Sequence, residues 1–291
     1  MKTFEDYLQN QGYKPRSILN HVNTHKLFRK WLKQEDLNGH DIKPFHILSY
    51  IDFCRSKGNS NDTIQIKLQT LNHYYTFLFQ NNFIQENPAS HIKLKKNPRS
   101  ILSFLLEEKQ LDKLYHEYDG KLRNKVALSL MIYQGVSVRD FDFLTVENIN
   151  LNTAKIELQG HSKANNRTLY LKAFQIILLH DYLTNERPKL LEKRAKSYKG
   201  EDTDKLIPSS RKGQRFKDIG DHFILELKAQ FLFFKSFGQI RNSVIANWLK
   251  HYNLREVQVM AGHKYVSSTE KFQISQIDDL SEKVEKYHPL G

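Results

Sequence analysis

The chain has 291 residues, 39% of them hydrophobic and 12% aromatic, which is long and apolar enough for two domains with proper cores. Cys54 is the only cysteine and the 13 histidines contain no HExxH pair or other ligand spacing, which excludes a disulfide framework and leaves no metal site to expect. The formal net charge is +13, and residues 1–96 alone carry 14 Lys/Arg against 8 Asp/Glu, so both parts of the chain are basic, a pattern that suits gripping a polyanion from two sides.

Residues 4–90 read as four short helices. Phe4, Tyr7 and Leu8 form one apolar stripe; Ile18, Val22, Leu27, Phe28, Trp31 and Leu32 form a second at three- and four-residue spacing. Ile47, Tyr50, Ile51 and Cys54 make a third, and Ile64, Leu68, Leu71, Tyr75 and Leu78 a fourth. Ser17, Lys43-Pro44 and Ser60-Asn61-Asp62 are start signals, Gly39 and Lys57-Gly58 stops. Asn87-Pro88-Ala89 closes this bundle (residues 1–90), and the basic, Pro-broken segment 91–100, with Lys93, Lys95 and Lys96, reads as an interdomain linker. Helical periodicity returns over 107–115 and 125–133. A hairpin follows, from Ile149-Asn150-Leu151 and Lys155–Leu158 through the polar turn 160–166 to a return strand over 167–171. Phe174–Leu179 is helical again, and the lysine-rich stretch 192–221 has no clear period and reads as containing a loop. The N-terminus has no apolar signal region and no run approaches 18 apolar residues, so an intracellular protein without a membrane partner is expected.

Near the C-terminus stand Gln239-Ile240-Arg241-Asn242, Ala261-Gly262-His263 and Ser268-Thr269-Glu270-Lys271-Phe272, with His263 22 residues after Arg241 and Phe272 nine after His263. Together with Gly135-Val136-Ser137-Val138-Arg139-Asp140-Phe141, the Gly160–Leu171 hairpin, Thr63-Ile64 and Asn87-Pro88-Ala89, this order resembles the tyrosine recombinase (phage integrase) family over essentially the whole chain. The resemblance implies a mainly α fold with a small antiparallel β-sheet: a helical, SAM-like core-binding domain over 1–90, the linker 91–100, and a catalytic domain with a tail helix over 101–291, closing on DNA as a clamp. It also implies the chemistry. A tyrosine hydroxyl attacks a phosphodiester and leaves a 3′-phosphotyrosine; cationic donors stabilise the extra negative charge of the phosphorane, and no cofactor is needed because the covalent link stores the ester energy.

By the resemblance, Arg241 is the second catalytic arginine, His263 the downstream histidine and Lys163 the turn lysine, although the hairpin is one residue longer than usual. Three positions depart. Ser137 stands where the first arginine belongs, Gly238 and Asn242 where histidines belong, and Arg139 would point away from the site. Phe272 holds the nucleophile's place without a hydroxyl. Either a natural loss has made a DNA-binding relative that recognises sites without cutting, or a single engineered change has disarmed an active recombinase; the intact context around 272 suits the second.

DNA contacts are expected from Lys14, Arg16, Lys67, Lys93, Lys95, Lys96 and Arg167. The expected partners are double-stranded DNA with inverted-repeat core sites, an accessory DNA-bending protein and further copies of the chain. Ile274, Ile277, Leu280 and Val284 form an apolar stripe that would pack either on its own domain or on a neighbour, the latter building a tetramer. The expected setting is the cytoplasm, at the nucleoid, of a bacterium or on a mobile element.

Overall fold

Capping residues and helix-entry prolines delimit the N-terminal helices. Thr3 accepts from the amide of Asp6, whose carboxylate accepts from the amide of Thr3, and this reciprocal cap opens α1 (Phe4–Asn10). Proline occupies the first helical position of both α2 (Pro15–Gln34) and α3 (Pro44–Ser56), where its missing N–H costs nothing; α2 therefore starts at Pro15, ahead of Ser17. Ser60 caps α4 (Asn61–Gln80) through the amide of Thr63. The computed structural model describes residues 3–94, 105–162, 164–198, 203–209 and 215–273, and the chain divides into two compact units, Met1–Arg99 and Ser100–Gly291.

In the first unit α2, α3 and α4 bury Phe28, Trp31, Ile47, Tyr50, Ile51, Cys54, Ile64, Leu68, Leu71, Tyr75 and Leu78 in one core, against which Phe4 and Tyr7 of α1 pack. These are most of the apolar positions whose spacing marks the helices in the sequence; Leu27, counted in the α2 stripe, is exposed instead. Asn87 holds the closing segment down: its side-chain amide donates to the backbone and side-chain oxygens of Asn72 and to Thr76 Oγ1, while its oxygen accepts from Ala89. Pro88 and Ala89 are buried behind it.

The second unit is built on α5 (Glu108–His116), α6 (Leu122–Tyr133), α7 (Ala173–Asp181), α8 (Arg187–Tyr198), α9 (Lys217–Gln230), α10 (Phe237–Trp248) and α11 (Leu254–Ala261). One antiparallel sheet, β1 (Ile149–Asn150), β2 (Lys155–Leu158) and β3 (Arg167–Tyr170), lies between α6 and α7 in sequence. Ile156 pairs with Leu169 and Leu158 with Arg167, and all four are buried, while Glu157, Thr168 and Tyr170 face out. The period of two thus sends Arg167 to the same side as the core leucines. Within the stretch 192–221, α8 runs to Tyr198, α9 starts at Lys217, and Leu206 donates to the carbonyl of Leu144, while residues 199–202 and 210–214, where the expected loop would fall, lie outside the described residues. Residues 267–273 are helical. The apolar stripe beyond 273, and with it the tail helix, lies outside the described residues. The molecule is mainly α with one small antiparallel sheet, as expected, and no described helix is long and apolar enough to cross a membrane.

Leu71 is fully buried at the centre of the first unit. Leu71→Ala should destabilise that unit by about 2–5 kcal/mol. With Trp248→Phe leaving Trp31 as the sole tryptophan, denaturant unfolding followed by fluorescence will report it; an unshifted midpoint would show that Leu71 contributes little.

Candidate active site

Two helix ends and one arginine define the site. Gly135, just past the C-terminus of α6, has φ +57°, and Gly262, at the C-terminus of α11, has φ +69°, both left-handed conformations that glycine adopts without strain. Each is also sterically confined. A Cβ on Gly135 would lie 2.9 Å from the Trp248 ring, and one on Gly262 would lie 2.7 Å from Nη1 of Arg167. Arg241, on the first half of α10, donates from Nη1 to the carbonyl of Gly135 and from Nη2 to the carbonyl of Ala261 at 2.6 Å. A cation suits these carbonyls because helix C-termini carry partial negative charge and unsatisfied oxygens.

Asp140 sits behind Arg241. The Ser137 amide donates to its Oδ2 at 2.7 Å, and its own amide donates to Ser137 Oγ at 3.2 Å. Ser137 therefore acts here as the cap of a tight turn. Arg167 Nη2 donates to the same Oδ2 at 2.8 Å, with both side chains almost wholly buried, and His161 Nε2 lies 3.3 Å from Oδ1. Burial alone would raise the Asp140 carboxyl. The charge and hydrogen bond of Arg167, the Ser137 amide and the charge of Arg241 outweigh that and hold it below the usual carboxylate value.

The hairpin turn and the α11 turn are stitched together: Ala164 bridges to His263 and the Asn165 amide donates to the carbonyl of Gly262 at 2.8 Å. The His263 amide donates to the carbonyl of Gln258, and Nδ1 of its ring lies 2.8 Å from Thr269 Oγ1. Burial first, then the positive charges of Arg241, Lys271 and Arg167, push the imidazole down to about 4, so it is neutral near pH 7. Burial and the neighbouring charge of Arg167 likewise push Arg241 down to about 10, which still leaves it a cation. Phe272 lies one helical turn beyond Thr269, fully buried among Ile245, Ala246, Val257 and Ala261.

Arg241, His263, Ser137 and Phe272 thus come together around the 261–263 turn. Lys163 lies outside the described residues, although the turn that carries it is next to His263. Gly238 is open: a Cβ there would meet only Ser236 Oγ at 3.7 Å, so the missing side chain is not a steric requirement. Arg139 is exposed. Among the residues expected to contact DNA, Lys14, Arg16 and Lys93 are exposed, and Lys67 is half-buried with Nζ 3.6 Å from Cys54 Sγ. Lys95 and Lys96 lie outside the described residues. The expectation for Arg167 needs correcting: its guanidinium is not on the surface but buried against Asp140, because strand alternation turns it inward with Leu169. Sequence reading missed Asp140 and His161 as members of the cluster. The exposed Tyr265, two residues from His263, stands apart from the buried Phe272. Among the described residues no group of three or more His, Cys, Asp or Glu is arranged to hold a metal ion.

Residues 1–82 match the family model described as "Phage integrase, N-terminal SAM-like domain". The tyrosine recombinase XerC of Oceanobacillus iheyensis is 26% identical over 99% of this chain and 95% of its own length. The fold is similar to the crystal structure of the XerH site-specific recombinase bound to a palindromic difH substrate, with a TM-score of 0.70, 16% identity and coverage of 90% of this chain and 78% of that one. It is also similar to a lambda integrase tetramer bound to a Holliday junction, with a TM-score of 0.67, 17% identity and coverage of 92% and 74%.

Two outcomes follow from the geometry. Gly262→Ala should cost more than about 1 kcal/mol, since alanine is strained at this φ and its methyl group meets Arg167; a thermal melt equal to the parent's would contradict this. His263 is depressed below its unfolded value, so its contribution to stability is present above pH 6.5 and fades as the pH falls towards 4. A histidine-resolved NMR titration should accordingly find His263 unprotonated at pH 5.5, and protonation near pH 6.5 would remove the electrostatic picture of the site.

Proposed function

We propose that the chain is a tyrosine recombinase by descent, a site-specific DNA recombinase whose active centre is the cluster around the 261–263 turn, and that Phe272 leaves it unable to cleave. The observation that carries this reading is Arg241, fixed by two helix-end carbonyls beside a neutral His263, with residue 272 one turn from the hydroxyl that His263 touches. A pinned guanidinium is preorganised for the non-bridging oxygens of a phosphodiester, and preorganised charge is the main means of stabilising a phosphorane. A neutral imidazole can donate a hydrogen bond to such an oxygen or accept the nucleophile's proton. Lys163 is assigned to protonating the leaving oxygen. The ring of Phe272 has the packing of tyrosine but no oxygen to attack with.

In this reading residues 1–90 form the core-binding domain and 101–291 the catalytic domain. The substrate is double-stranded DNA with inverted-repeat sites, contacted through Lys14, Arg16, Lys67, Lys93, Lys95 and Lys96, and the assembly on DNA is a tetramer joined by the tail. XerH on its palindromic substrate and the lambda integrase tetramer on a Holliday junction supply the analogy for substrate and assembly. A second reading, a DNA-binding regulator that never cuts, is favoured by two observations: Phe272 sits fully inside an apolar cluster, and Ser137 has a capping role of its own.

Phe272→Tyr should form SDS-resistant protein–DNA adducts on nicked duplexes drawn from the flanks of the gene, and adding Arg241→Ala should lower their yield by at least about 10²-fold. Salt-sensitive binding without any adduct would favour the regulator, and adducts that persist in the Arg241→Ala background would refute the assignment of the site.

A further inference from the structure

Resting on the reading of this cluster as a phosphate site, we propose that Arg167 supplies the fixed positive charge that Ser137 does not, acting as a positioning and electrostatic residue from behind the Gly262–His263 turn. Two independent features of the structure carry this. The first is the state of the guanidinium itself. Its Nη2 is spent on Asp140, yet Nε and Nη1, both buried, have no hydrogen-bond partner. Buried donors are satisfied almost everywhere in folded proteins, and an unmatched charged one is costly, so two on a single side chain point to an anion as their partner.

The second is where the group lies. Nη1 would be 2.7 Å from a Cβ on Gly262, so the guanidinium is stacked directly under the turn that presents His263, and only glycine allows this approach. Arg241 holds the other side of that turn through the carbonyl of Ala261. Two guanidinium groups thus flank one turn, with Asp140 the single carboxylate between them among the described residues. Their mutual repulsion is felt at Arg241, and both charges act on His263. Asp140 neutralises one of the two cations and His161 carries no compensating negative charge, so the cluster keeps a net positive charge in a buried setting, where fields act strongly over several ångströms. Ser137, the position without a cation, is joined to the same carboxylate through its amide. Asp140 therefore links the residue that lacks the charge to the residue that provides it.

Removing Arg167 alone would strand a buried carboxylate, so the test uses the neutral pair Arg167→Gln/Asp140→Asn, which keeps a hydrogen bond and a similar volume. Orthovanadate, a tetrahedral oxyanion with the shape and charge of phosphate, is the probe for the full chain in the absence of DNA. The parent should bind it, the neutral pair should lose at least about tenfold in affinity without a change in melting temperature, and adding Ser137→Arg should restore binding. A purely structural role for Arg167 predicts no such rescue. No vanadate binding by the parent, unchanged affinity in the neutral pair, or failure of Ser137→Arg to restore it would overturn the proposal. On DNA, in the Phe272→Tyr background, the neutral pair should slow adduct formation by about 10²–10³-fold, the effect of losing one preorganised charge donor, with duplex affinity at fixed salt unchanged. Adducts formed at the parent's rate would likewise overturn it. An absence of adducts from Phe272→Tyr itself counts against the recombinase reading, while the vanadate measurement still decides the role of Arg167.

Discussion

A half-buried guanidinium bridging two helix ends is the constraint on which the site depends. Arg241 takes the carbonyl past the end of α6 with one nitrogen and the last carbonyl of α11 with another. Both oxygens belong to helix C-termini, where backbone acceptors lack partners and the helix dipole is negative, so the cation answers two demands at once. Each helix reaches that geometry by ending in a left-handed glycine, Gly135 or Gly262, and each glycine is closed over by a neighbouring side chain. Displacing either would move the turn that carries Asp140 or the one that carries His263.

Around this bridge the charges are distributed unevenly. Asp140 is the one carboxylate of the cluster among the described residues, and it is engaged by Arg167, by the Ser137 amide and, more distantly, by Arg241. His263 is neutral because it is buried among cations. A basic centre of this kind is poor at holding a proton on its histidine and well suited to holding an anion. The overall charge of +13 tells the same story at long range, since it draws polyanions towards both halves of the chain.

The helices of the first unit were legible because their cores are made by the same residues that set the sequence period, from Phe28 and Trp31 to Tyr75 and Leu78. The hairpin was legible from its alternation and its polar turn, and the order of Arg241, His263 and Phe272 from their spacing. The start of α2 was misjudged because Pro15 is itself an entry signal, and the contact of Leu206 with Leu144 was not legible because it joins segments far apart in the chain. Arg167 was taken for a surface contact. The alternation of Arg167, Leu169 and Leu171 already places it on the inner face, but an arginine there is credible only once a carboxylate is known to wait for it.

By itself, then, the sequence determined the helical bundle, the small sheet, the family likeness and the phenylalanine at 272, because each is written in local periodicity, turn chemistry or a single side chain. Only the tertiary structure decided that Ser137 caps a turn, that Asp140 pairs with Arg167 across 27 residues of chain, and that two guanidinium groups flank the His263 turn. Burial and pairing between distant segments set these roles, and neither is encoded in the spacing of residues along one strand or helix.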